Sequence, residues 1–315
     1  MNNKSLISAK TKKDDEFYTL YTDIDKELSV YKDQFAGKIV YCNCDDPNKS
    51  NFPKWFIDNF NDIGLKGVVA TCYDPSGKGT KLEYFGNEPK YSNLYGDGDF
   101  RSDECLEILN SSDIVASNPP FSLFKEYIGT VMESGKKFIV IGNKNTMSLQ
   151  KVFDGIVSGE ISLGSSVPAK FITPDGTATG KVSGMCRWFT NLDNHIEVPF
   201  LELSKKYRKE DYPEYENYSA IEVGKVKDIP SDYYGVMGVP TTFLDKYNPK
   251  QFSILGKGGD LYWAVNNCRF YTPPSKEKSD YYKSKNSSWR IQNPYYVKNG
   301  SLVNVYQRIF IERIL

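Results

Sequence analysis

Four short runs, Lys38-Ile-Val-Tyr-Cys42, Gly67-Val-Val-Ala-Thr-Cys72, Asp113-Ile-Val-Ala-Ser117 and Lys137-Phe-Ile-Val-Ile-Gly142, are almost continuously apolar. A strand with one face in water alternates apolar and polar residues, so runs of this kind fit strands covered by helices on both faces. The segments between them are amphipathic and predict those helices at about 52 to 63, 102 to 110, 121 to 134 and 148 to 157, with an opening helix near 22 to 35. From about residue 15 to 190 the chain therefore reads as a doubly wound α/β sheet, with Gly184-Met-Cys-Arg-Trp-Phe-Thr190 as one further strand. Beyond Asn191 the alternation stops and Pro, Tyr, Gly and Lys rise. Residues 1–190 are expected to form the sheet domain, and residues 191–315 an irregular α+β region with a last strand within Ser301 to Ile314.

In a sheet of this kind ligands bind beyond the carboxyl ends of the strands. Asn43-Cys44-Asp45-Asp46-Pro47 follows the first run, Tyr73-Asp74-Pro75 the second, Asn118-Pro119-Pro120-Phe121 the third and Gly142-Asn143 the last. Gly96-Asp97-Gly98-Asp99-Phe100 precedes a helix capped by Ser102 and so reaches the same rim. The tetrapeptide Asn118 to Phe121 carries the most chemistry. Two adjacent prolines remove two backbone donors and stiffen the turn, so the Asn118 side chain and nearby carbonyls can converge as acceptors on a planar amine. Phe121 can stack on the ring that bears it. The chemistry this suggests is methyl transfer to an exocyclic amino group.

Composition removes several other classes. His195 is the only histidine, which leaves no second imidazole for a metal site, and it reads as structural. The six cysteines, at 42, 44, 72, 105, 186 and 268, have neither zinc nor redox spacing and read as reduced thiols. The N-terminus is polar and lysine-rich and no run of 18 apolar residues occurs, so neither a membrane span nor a secretory signal is expected, and the location predicted is cytoplasmic. Net charge is zero, so an anionic partner must be argued from local patches. One is Lys4, Lys10, Lys12 and Lys13. The other places Lys276, Lys278, Lys283, Lys285, Arg290 and Lys298 among Tyr281, Tyr282 and Trp289, a mixture suited to phosphate contact and base stacking, or simply to a solvated loop.

Several segments, in order, resemble the EcoRI-type adenine-specific DNA methyltransferases. They are Asp14-Asp-Glu-Phe-Tyr-Thr19, Val40-Tyr-Cys-Asn-Cys-Asp-Asp-Pro47, Gly96-Asp-Gly-Asp-Phe-Arg-Ser102 and Ser117-Asn-Pro-Pro-Phe-Ser-Leu-Phe124, continuing through Cys186-Arg-Trp-Phe-Thr-Asn-Leu192 and Gly235-Val-Met-Gly-Val-Pro240 to about residue 252. The resemblance implies a Rossmann-like S-adenosylmethionine-dependent sheet and transfer to N6 of a flipped-out adenine in duplex DNA, at a GAATTC-like site. Asn118, Pro119, Pro120 and Phe121 would be catalytic. Phe17, Tyr18, Thr19, Asn43, Asp45, Asp46, Tyr73, Asp74, Asp99 and Phe100 would hold the cofactor. In that scheme Asp45 or Asp46 lies near the cofactor's ammonium group, and Tyr73 or Asp74 near its ribose. Asp99 accepts from its adenine amino group, and Phe100 stacks on the adenine ring. Trp188 or Phe189 could face Phe121 across the target base, unless they fill the core.

Duplex DNA is the expected partner, read by residues 191–315, with no metal, no membrane and a monomeric enzyme. One departure is the absence of a Gly-x-Gly after the first strand. An RNA-adenine or protein-glutamine methyltransferase, and a non-catalytic DNA-binding relative, are the competing readings.

Overall fold

The computed structural model of the chain describes residues 18–172, 178–179, 183–193 and 198–314. Phe17, the rest of the segment from Asp14, the N-terminal lysines and His195 lie outside the described residues. The chain divides into two compact units, Met1–Ile196 and Glu197–Leu315. Among the described residues no helix is long and apolar enough to cross a membrane.

The first unit opens with β1 (Tyr18–Thr19) and α1 (Tyr21–Leu28). Then come β2 (Ile39–Cys42), α2 (Asn51–Asp58), β3 (Gly67–Cys72), β4 (Thr80–Tyr84), β5 (Lys90–Asn93) and α3 (Asp103–Ser111). They are followed by β6 (Ile114–Ser117), α4 (Phe124–Glu133), β7 (Lys137–Asn143), α5 (Gln150–Ser158), β8 (Ser162–Leu163), β9 (Phe171–Ile172), β10 (Ala178–Thr179) and β11 (Cys186–Thr190). An eight-stranded mixed sheet runs β5-β4-β3-β2-β6-β7-β11-β8. Its four central strands, β3, β2, β6 and β7, are parallel and are the four apolar runs of the sequence. From β2 the chain winds through α2 to β3 on one side, and from β6 through α4 to β7 on the other. Strand order thus reverses between β2 and β6, where the ends of two neighbouring strands open a crevice.

The edges depart from a purely parallel sheet. The strand expected from Gly184 is β11, antiparallel to β7 with Trp188 opposite Ile141. On the other side β4 and β5 form an antiparallel hairpin that the sequence reading did not foresee. Only Leu82 of β4 is buried and all four residues of β5 are exposed, so no continuous apolar run marks them. A short polar edge strand of this kind discourages pairing with another chain.

The core is aromatic. Trp55, Phe52 and Phe56 of α2 meet Phe35 and Trp188, all fully buried, and Trp55 Nε1 donates to Asp25 Oδ1 at 2.8 Å. A small sheet, β1-β9-β10, pairs Thr19 with Phe171. Two carboxylates one turn apart on α1 hold the approach to it. Asp23 accepts from the backbone of Ala169 at 2.8 Å, and Glu27 accepts from the backbone and hydroxyls of Ser165 and Ser166 at 2.7–2.8 Å.

The second unit contains β12 (Ile221–Glu222), β13 (Met237–Pro240), β14 (Phe252–Lys257), α6 (Leu261–Asn266), α7 (Lys276–Lys285), β15 (Tyr295–Lys298), β16 (Ser301–Asn304) and β17 (Arg308–Arg313). A four-stranded sheet runs β12-β13-β17-β14, and β15 and β16 form a separate hairpin. The last strand expected within Ser301 to Ile314 is β17, and the same range also holds β16, in a separate sheet. The break comes where Val305 is drawn into a cluster with Tyr215, Tyr218 and Phe310 and Arg308 turns to Glu222, 2.6 Å away.

Candidate active site

The crevice at the reversal of strand order is closed by one side chain. Asp45, three residues beyond β2 and 2 % exposed, accepts from Ser50 Oγ at 2.5 Å and from Ser117 Oγ at 2.7 Å. Its carboxylate also accepts from the Asn118 backbone N–H. Ser50 caps α2 and Ser117 ends β6, so a single carboxylate joins the loop after the first strand to the Asn-Pro-Pro-Phe turn. Sequence reasoning assigns Asp45 only a role toward a ligand's ammonium group. Its part in fixing the backbone of Asn118 was missed, although a serine directly before a helix is a readable cap.

Burial pushes the Asp45 carboxyl up to about 6, with Asp46 adding to the rise, against the pull of Ser50, Ser117 and the Asn118 N–H. A carboxyl raised by folding contributes stability that is complete below about pH 4 and is lost as pH climbs through about 6. Wild-type protein should therefore lose about 3 kcal/mol relative to Asp45→Asn between pH 3 and 7 in denaturant titrations. A flat difference across that window would show that the carboxyl titrates as a free one.

After Ser117 the chain turns sharply. Asn118 is half-buried with Oδ1 shielded from solvent, and Pro119 is buried. The Pro120 carbonyl accepts from Leu123 N at 3.1 Å, starting the one-turn 3₁₀ helix Phe121–Leu123 that leads into α4. Phe121 is half-buried and meets Phe171 edge-on at 6.2 Å. Tyr127, fully buried on α4, donates to Asn43 Oδ1 at 2.6 Å and so ties the helix after the turn to the loop after β2.

The acidic residues gather through backbone pairing. Gly98 has φ 81° and a Cβ there would overlap the Cys72 carbonyl oxygen, so only glycine brings this loop against the end of β3. Asp74 N then donates to Asp97 O at 2.7 Å, and Gly79 N to Gly96 O at 2.9 Å. Asp74 Oδ1 is engaged by Ser76 N at 2.8 Å, and Tyr73 beside it is exposed. Asp46 likewise closes a turn, accepting from Asn48 N at 2.9 Å. Asp99 is bound bidentately by Arg101, at 2.9 Å from Nε and 2.6 Å from Nη2, and Arg101 Nη1 reaches Glu126 at 2.5 Å. Arg101 was not singled out from the sequence; its guanidinium neutralises Asp99 and lies 5.2 Å from the Phe100 ring centroid.

Thr19 reaches the same rim through Asn51, whose Nδ2 donates to Thr19 O at 2.8 Å beside the Ser50 cap. Thr19 is 1 % exposed, and its Oγ1 has no hydrogen-bond partner among the described residues. The first unit thus brings Tyr18, Thr19, Asn43, Asp45, Asp46 and Asn118 to Phe121 around the reversal point. Tyr73, Asp74 and Asp99 line its β3 side.

Three aromatic expectations change. Trp188 is wholly buried against Phe52 at 5.9 Å and Phe189 against Phe124 at 5.5 Å, so neither stands open opposite Phe121. Successive residues of β11 point to opposite faces, and both faces of this sheet are covered. Phe100 is also buried, edge-on to Tyr127 at 5.3 Å, and has no open face for a ring to stack on.

Chemically the rim offers acceptors: a shielded amide oxygen, a buried carboxyl that ionises near neutrality, and carboxylates steadied by turns and by Arg101. Such a set suits a ligand with cationic and hydroxyl groups and a second ligand bearing an amino group. A family profile described as "Adenine-specific methyltransferase EcoRI" matches residues 5–95 and 85–313. Type II methyltransferase M.EcoRI of Escherichia coli is 43% identical, with 80% of this chain and 89% of the relative covered. Type II methyltransferase M.MpnI of Mycoplasma pneumoniae is 38% identical, over 83% of this chain and 88% of its own. M.MgeORF184P of Mycoplasma genitalium is 36% identical with the same coverage, 83% and 88%. No solved structure matches the chain.

Proposed function

The chain belongs to the EcoRI family of adenine-specific methyltransferases, and from that premise we propose that this DNA adenine methyltransferase uses S-adenosylmethionine and acts through Asn118 to Phe121. The observation that supports the site most strongly is the Asp45 link, which makes the loop after β2 and the Asn-Pro-Pro-Phe turn one rigid piece. A donor site and an acceptor site joined in this way keep the two reactants in register, which is where most of the acceleration of a group transfer can arise.

The residues fit S-adenosylmethionine. The orphaned Thr19 hydroxyl needs a partner, and the buried Asp45 carboxyl ionises more readily beside a cation. In a Rossmann-like sheet the ribose hydroxyls would fall to Asp74 or Tyr73, and the adenine amino group to Asp99, which is paired with Arg101. When bound, the cofactor would supply a methyl group made electrophilic by its sulfonium, the sulfur leaving as the neutral thioether of S-adenosylhomocysteine. Phe100 supports this wall from within.

The amino nitrogen of adenine is a poor nucleophile because its lone pair is delocalised into the ring. Acceptance of its hydrogens by Asn118 Oδ1 and the Pro119 carbonyl favours a more tetrahedral nitrogen, with the lone pair directed along the line of attack. A strong general base is not needed, because the proton is lost from nitrogen after it becomes acidic. The base must leave the helical stack to reach this turn, and Phe121 gives it a ring to rest on. The second unit is assigned the reading of DNA.

Incubation with labelled S-adenosylmethionine and duplex DNA, RNA or protein tests the assignment. The expected result is N6-methyladenine in duplex DNA, mapped to one sequence by modification-sensitive sequencing. Label confined to RNA or protein would overturn the substrate, and failure to bind S-adenosylmethionine in calorimetry would overturn the donor.

A further inference from the structure

The net charge of zero conceals a split. Residues 1–196 carry 22 Lys and Arg against 26 Asp and Glu, and residues 197–315 carry 18 against 14. The whole positive excess of the second unit lies in residues 275–300, with 6 basic against 2 acidic side chains; the rest of that unit balances at 12 of each.

Those residues form a small module. Ser275 caps α7 by accepting from Lys278 N at 3.2 Å, and the β15–β16 hairpin follows. Tyr282, Trp289 and Tyr295 make a buried cluster with ring centroids 5.2–5.8 Å apart, on which Ile291 and Leu302 pack. The sequence reading offered the basic and aromatic residues of this stretch for both phosphate contact and base stacking. The structure separates the two. Tyr282 and Trp289 are consumed by the module's own core, and Lys278 is bound to Glu216 at 2.8 Å.

What remains on the surface is charge. Lys276, Lys283, Lys285, Arg290 and Lys298 are exposed. Elsewhere in this unit some exposed cations are paired, as in Arg208 with Asp211 at 2.5 Å and Lys209 with Glu214 at 3.8 Å, and others, such as Lys205, Lys246 and Arg269, are spread along a stretch whose charges balance. Among the described residues these five have no carboxylate within salt-bridge distance. Lys276 and Lys283, seven residues apart, share one flank of α7, and Lys285 lies 5.7 Å from the ring of exposed Tyr281. Gathering like charges without partners costs self-repulsion, which an anionic ligand removes. Four of the five are lysines, point charges suited to phosphate rather than to the forked recognition of a base edge.

We propose that residues 275–300 are a sequence-blind phosphate anchor for duplex DNA, gripping the backbone through these five side chains while base discrimination is made elsewhere in the chain. The inference rests on DNA being the substrate. The test is the full-length quadruple variant Lys276→Gln, Lys283→Gln, Lys285→Gln, Lys298→Gln. Binding is measured over a salt series to a duplex carrying the methylated sequence and to one of equal length lacking it. Each phosphate that is no longer neutralised should lower the slope of log affinity against log salt by about 0.9, so the slope should fall by about 2 to 4. Affinity should drop by the same factor for both duplexes. An unchanged slope in a protein whose wild type methylates duplex DNA would overturn the anchor alone, and so would a weakening confined to the duplex carrying the sequence. A wild type that leaves duplex DNA unmethylated would instead overturn the substrate reading, and the anchor with it.

Discussion

Asn118→Ala is expected to reduce turnover about 10²- to 10³-fold or more while leaving S-adenosylmethionine affinity within about twofold of wild type. The split follows from which atoms the substitution removes. The side-chain acceptor proposed for the substrate amine is lost. The backbone N–H of residue 118, which the Asp45 carboxylate accepts, is kept, so the joint between the two loops survives and the cofactor side should not notice the change. Single-turnover rates on duplex DNA together with calorimetry of cofactor binding measure the two effects separately. A variant that methylates at the wild-type rate would remove Asn118 from the chemistry. Equal losses of rate and cofactor affinity would mean that the side chain serves the fold of the crevice instead.

The parts of this protein that could be read from sequence are those imposed by water. Val40, Ala70, Ala116 and Ile139 lie in runs with no polar alternation, and a strand without a wet face has to be central and covered on both sides. That alone placed Asn43, Asp74 and Asn118 on one rim. The parts that could not be read depend on pairing between distant residues. Leu82 is the single buried residue of β4, too little to announce the edge hairpin. Asp45 gave no hint that it would meet Ser117, 72 residues away, nor Arg101 that it would bridge Asp99 and Glu126. Trp188 and Trp289 were ambiguous for another reason: a large aromatic fills a core or stacks on a ligand with the same chemistry, and only burial distinguishes the two.

Glu27→Ala should destabilise the first unit by about 3–5 kcal/mol. Glu27 is fully buried and accepts five hydrogen bonds: from Ser165 N and Oγ, from Ser166 N and Oγ, and from Tyr31 Oη at 3.2 Å. Truncation leaves those donors facing one another without an acceptor, and the segment has little room to collapse, since a Cβ at neighbouring Gly164 would already overlap both Glu27 and Trp188. The consequence should extend to the site. The same segment leads to Phe171, which pairs with Thr19 and packs edge-on against Phe121, so the variant should bind S-adenosylmethionine more weakly as well as unfold more easily. Glu27→Gln keeps the shape and one acceptor oxygen, and should cost roughly half as much. The denaturant midpoint of the transition that exposes Trp55 and Trp188 reads the stability, and calorimetry reads the cofactor. An alanine variant within about 0.5 kcal/mol of wild type would mean that the serines find other partners and that α1 does not secure the Phe171 segment.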